Sequence, residues 1–147
     1  SCTSNVDVKQ VLDVTDTSGG WYDAGIKDGK NKIVPSVTFR LRKKTDVDMD
    51  GVAVNVVFRH PPAPGGTTED EWGEVFIQHA EFTEAAHTAP LTARTENGYT
   101  GAPPQSRLDL FKNSQFRDVR ARVFAKYGST QWIEIGMIEV PRQLITR

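Results

Sequence analysis

Residues 34–59, VPSVTFRLRKKTDVDMDGVAVNVVFR, decide how the chain is read. In the first half Val37, Phe39 and Leu41 alternate with Ser36, Thr38, Arg40 and Arg42, so an extended backbone puts the apolar groups on one face. In the second half Val52, Val54, Val56 and Phe58 alternate with Ala53, Asn55, Val57 and Arg59, and the density of β-branched residues favours a pleated strand over a helix. A polar stretch separates the two arms, which are therefore expected to pair antiparallel as one long β-hairpin. A two-stranded ribbon is marginal in water, so further strands must cover its apolar face. Phe39, Leu41, Val54, Val56 and Phe58 form the expected core.

The flanking sequence supplies those strands. Residues 8–14 read as an early strand, 17–20 (Thr-Ser-Gly-Gly) as a turn, and 21–26 as extended aromatic-rich chain. Asp28-Gly29 marks a second turn, because it tolerates the left-handed backbone of a tight reversal. Residues 60–68 hold Pro61, Pro62, Pro64, Gly65 and Gly66 and form a loop that insulates a sheet edge. Residues 72–82 form a strand in which Phe76 breaks the two-face split, so both faces are expected to be covered. A crossing at 84–90, a short strand at 91–95 and a turn-rich loop at 96–104 follow. Ser106 caps the one expected helix, residues 107–113, with Leu108, Leu110 and Phe111 as its apolar side. Residues 119–127 alternate strictly and turn back at Gly128 into a partner strand at 131–140, a second hairpin that Pro141 ends. The sum is about seven to nine strands with hairpin-like connections and one short helix. That is the arithmetic of an immunoglobulin-like antiparallel β-sandwich, with a closed barrel as the alternative.

At 147 residues, one domain over residues 6–147 can bury a real core. A net charge of −1 gives no general attraction to nucleic acid, and no nucleic-acid partner is expected. Charge is unevenly spread: residues 52–100 carry two basic and seven acidic side chains, residues 101–147 eight and four. The single cysteine, Cys2, leaves no internal disulfide. Ser1-Cys2 followed by Thr3, Ser4 and Asn5 resembles the start of a mature bacterial lipoprotein. That resemblance implies a diacylglycerol on Cys2, a flexible tether over residues 1–5, and a place in the periplasm or at the cell surface.

The alternating text of 37–42 and 52–58 resembles the central strands of small immunoglobulin-like domains found in exported bacterial lipoproteins. The resemblance implies a binding or assembly module and assigns no functional residue. It departs from antibody domains, which bridge their sheets with a cysteine pair that this chain lacks.

Candidate chemistry is sparse. Asp46, Asp48 and Asp50 before Gly51 have the spacing of half a calcium loop, but Val57 stands where a closing bidentate glutamate belongs. His60, His79 and His87 lack the spacing of local metal ligation. No Gly-x-Ser-x-Gly elbow is present, and Glu69, Asp70 and Glu71 sit in a loop with no apolar pocket to raise a pKa. Arg120, Arg122, Phe124 and Lys126 share one face of their strand, with Arg117 nearby. A basic face around an aromatic fits an acidic partner surface, unless helix 107–113 buries the Phe124 ring. Trp21, Tyr22, Trp72, Tyr99 and Trp132 are either a glycan platform or core rings. The reading is a non-catalytic, envelope-facing lipoprotein domain without cofactor, an accessory or assembly subunit binding an envelope protein. A carbohydrate-binding module is the alternative, and a small hydrolase a third.

Overall fold

A computed structural model of the protein describes residues 7–128 and 131–147. Its elements are α1 (Val8–Val11), β1 (Leu12–Lys27), β2 (Lys30–Lys43), β3 (Val52–His60), β4 (Asp70–Ala80), β5 (Leu91–Arg94) and β6 (Tyr99–Gly101), then α2 (Arg107–Leu110), β7 (Val119–Lys126), β8 (Ile133–Val140) and β9 (Leu144–Ile145). Two sheets face each other. One runs β5-β2-β1-β9, with β6 also paired to β2; the other runs β4-β3-β7-β8. Every pairing is antiparallel except the short parallel match of β9 to β1. The protein is thus an all-β sandwich. β5 returns beside β2 and β7 returns beside β3, the interlocked connectivity of immunoglobulin-like sandwiches.

The expected long hairpin over residues 34–59 does not form. β2 pairs with β1, β5 and β6, whereas β3 pairs with β4 and β7 in the opposite sheet. Residues 44–51 carry the chain across the sandwich. The physical reason lies in the two apolar faces: paired side by side they would both need a cover, whereas in opposed sheets they cover each other. Met49, buried within this crossing, closes the gap, and Lys44 N–H donates to the Val11 carbonyl at 2.8 Å. The core assignment is unaffected. Phe39, Leu41, Val54, Val56 and Phe58 are all at 0% exposure.

The hairpin that does form here is β1–β2, turned by Asp28 (φ 53°) and Gly29 (φ 77°), two consecutive left-handed residues whose twist matches the strands they join. Residues 17–20, expected to turn, lie inside the 16-residue β1. The strand absorbs Asp16 and Thr17 as a bulge, with Asp16 at φ 51°. Gly20 serves packing rather than turning: a Cβ there would stand 2.7 Å from the Gln143 carbonyl oxygen, so glycine lets the β9 segment approach. The expected strand at 8–14 begins as one helical turn, capped by the Asp7 carboxylate, before β1 starts at Leu12. The helix expected at 107–113 closes after Leu110. Its start carries the full capping box: Ser106 Oγ accepts from Asp109 N–H and Asp109 accepts from Ser106 N–H. β7 and β8 pair antiparallel as expected, with β8 starting at Ile133 rather than at 131; part of the expected turn lies outside the described residues.

One end of the core is an aromatic plug. Trp21 is fully buried, with ring centroids of Phe116 at 4.8 Å, Tyr99 at 5.5 Å and Trp72 at 6.1 Å. His60 meets Trp72 edge-on at 5.0 Å, and its Nδ1 lies 2.9 Å from the Asp118 carbonyl oxygen.

Candidate functional site: the outer face of the four-stranded sheet

Strict alternation in β7 sends Val119, Ala121, Val123 and Ala125 into the core and Arg120, Arg122, Phe124 and Lys126 outward. Register decides what each outward side chain meets. Phe124 stands between Asn55 of β3 and Glu134 of β8, and Asn55 in turn faces Phe76 of β4. Arg122 lies between Val57 and Met137, and Arg120 between Arg59 and Glu139.

The loop between β3 and β4 folds over one half of this face and pins it through Glu69. The Glu69 side chain is only 12% exposed. Its Oε1 accepts from Arg122 Nε at 2.9 Å and its Oε2 from Arg122 Nη2 at 2.8 Å, a two-pronged match of guanidinium to carboxylate. Arg120 Nη1 donates to Oε2 at 3.2 Å, and Arg59 Nη1 stands 3.7 Å from Oε1. The bonds from Arg122 hold the Glu69 carboxyl below the usual carboxylate range, against the opposing effect of burial. Arg122 also donates to Glu134 at 2.7 Å, Arg120 lies 3.3 Å from Glu139, and Arg117 donates to Asp70 at 3.0 Å. All three arginines singled out in the sequence thus already hold carboxylates, and an acidic partner would have to displace them. The uneven charge along the chain has its explanation here. Glu69 closes onto Arg120 and Arg122 of β7, and Asp70 onto Arg117 just before it.

The other half of the face is bare. Phe76 is 53% exposed and Trp132 36%, with half-buried Phe124 on the same surface, and Met137, 43% exposed, stands at the β8 edge beside Arg122. The Trp132 ring reaches across to Phe76, with centroids 6.0 Å apart and planes at 59°, and Lys126 Nζ lies 5.7 Å from the Trp132 centroid. Asn55 Nδ2 donates to Glu74 at 3.2 Å, and its buried Oδ1 has no hydrogen-bond partner among the described residues. The result is an apolar strip over a floor that includes Asn55. Helix α2 packs against β2 and β6.

The remaining sequence candidates do not assemble with this face. Cys2 and the tether 1–5 lie outside the described residues. Asp46, Asp48 and Asp50 are exposed on the 44–51 crossing, and among the described residues no three His, Cys, Asp or Glu side chains gather to hold a metal. His60 is in the aromatic plug, exposed His79 pairs with Glu81 at 3.1 Å, and His87 bridges to Arg42 and Glu84. Trp21 in the core meets half-buried Trp72 edge-on and Tyr99 at a tilt, Tyr22 lies beneath Arg94, and Trp132 alone of the five belongs to the bare strip. Sequence reasoning missed Glu69 and Phe76. The charge asymmetry carried the signal for the first, and the break in alternation at Phe76 for the second. No helix among the described residues is long and apolar enough to cross a membrane.

No protein-family model matches the chain, and no curated protein matches its sequence.

Proposed function

We propose that the protein is a binding domain that docks another protein on the bare half of the β4-β3-β7-β8 face. The observation that carries this reading is the exposure of Phe76 and Trp132, in ring contact beside Phe124, with Met137 also exposed on the same face at its β8 edge. Aromatic and thioether side chains contribute disproportionately where a contact excludes water. The paired arginines and glutamates beside the strip form a polar rim of near-balanced charge, the arrangement of a contact with an apolar centre. The tilt between Phe76 and Trp132 does not make the coplanar surface on which a sugar ring stacks, which sets a glycan-binding module behind a protein-binding one.

The envelope setting rests on the resemblance of Ser1-Cys2 to a lipoprotein start. Metabolic labelling with a fatty acid should tag the wild-type chain and not Cys2→Ala; an unlabelled wild type refutes lipid attachment. The contact surface is tested by placing a photo-crosslinking residue at position 76 or 137, and at Thr38 on the opposite sheet as control. The same protein should be trapped from 76 and 137 and not from 38. Equal trapping from all three positions would refute a localised surface.

A further inference from the structure

Eight of the ten arginines hold a carboxylate. Among the described residues Arg94 holds none, although it is half-buried and fixed by two contacts. It stands at the end of β5, cross-strand from Ser36 of β2, on the outer face of the other sheet. Its Nε donates to Ser36 Oγ at 3.0 Å, and its guanidinium carbon sits over the Tyr22 ring, 3.7 Å from its centre. Neither Nη has a partner among the described residues.

A guanidinium in this position has already lost most of its rotamer freedom, so a ligand that bonds to its two free nitrogens does not meet that ordering cost again. The surroundings match an anion. Arg94 lines a groove with Tyr22, Lys27, Lys32, Val34 and Glu96. Among the described residues neither lysine holds a carboxylate, and Glu96, though present, does not pair with Arg94. The β1–β2 hairpin brings the lysines here, since Lys32 faces Gly25 and Lys27 faces Lys30 at its turn. Fixed positive charge above a partly apolar floor of Tyr22 and Val34 favours an oxyanion attached to a small organic body.

We propose that this groove binds the carboxylate or phosphate group of a small ligand, with the Nη atoms of Arg94 as a two-pronged donor and Lys27 and Lys32 as flanking charges. The site is on the sheet opposite the apolar strip, so its fate is independent of the docking reading.

The test is a nuclear magnetic resonance titration of the full chain at about 0.15 M salt. Inorganic phosphate and glucuronate serve as the two probes and glucose as the neutral control. Saturable shifts are expected at Arg94 Nε–H and at the Tyr22 ring with at least one anion, and which anion saturates identifies the preferred oxyanion. Arg94→Lys keeps the charge and loses the fork, so it should weaken binding by about tenfold or more. Tyr22→Leu removes the ring and should weaken it as well, with the thermal melt reporting that each variant remains folded. Equal affinity in Arg94→Lys, shifts that rise linearly without saturation for both anions, or a response at Arg94 no larger than at exposed Lys112 would each overturn the assignment.

Discussion

Replacing Glu69 by Gln keeps the shape of the side chain that pins the β3–β4 loop and removes its charge. In the wild type this carboxylate accepts three bonds of 3.2 Å or less from Arg120 and Arg122. Glutamine offers one oxygen and turns an NH2 toward a guanidinium, so at most two weaker bonds survive. Charged and neutral hydrogen bonds differ by roughly 1 kcal/mol each, and the guanidiniums keep about a quarter of their exposure to water, so the net cost is about 2 kcal/mol. For a chain of this size that lowers Tm by about 4–8 °C, measured by circular dichroism. The cost should also depend on pH in one direction. The folded-state pKa of Glu69 is depressed below the unfolded value of about 4.3, so its stabilisation is complete above that value and is lost as pH falls through the folded pKa. The gap between wild type and Glu69→Gln is therefore full at pH 7 and closes in acid. A gap that stays constant from pH 7 to pH 3, or none at pH 7, would refute the clamp.

Phe58→Ala, at a fully buried ring of β3, should cost about 3–5 kcal/mol in a urea titration, and an unchanged midpoint would contradict the placement of β3. Calcium should leave the melt unchanged relative to chelator, because Asp46, Asp48 and Asp50 stand exposed on the crossing without a closing carboxylate; a large calcium-dependent rise in Tm would contradict that. Gly20→Ala should detach β9 and raise amide exchange at Trp21, whose N–H donates to Gln143; unchanged protection there would refute the close approach.

Periodicity identified which way the side chains of β2, β3 and β7 point, because the face of a strand is written in its own residues. It could not identify partners, because pairing depends on residues elsewhere, and so two strands of opposite sheets were read as one hairpin. A warning was present. Residues 44–51 are longer than the two to five residues of common hairpin loops, and Val47 and Met49 are apolar where an exposed tip would be polar. Asp28-Gly29 was legible because its chemistry is local, while Gly20 misread as a turn because its reason, the Gln143 carbonyl, lies 123 positions further along the chain. The basic face of β7 was legible for the same local reason. Its neutralisation by Glu69 was not, since that depends on how a proline-rich loop folds back over the sheet.

The account stands most directly on the affinity of the crosslinked partner for Phe76→Ser/Met137→Ser. Both side chains are largely exposed, so the double variant should melt within about 1 kcal/mol of the wild type. Calorimetric titration should show binding weakened by about 100-fold or more, the loss of two apolar contacts. Wild-type affinity in this folded variant would contradict the claim that the bare half of the face is where the protein makes its contact.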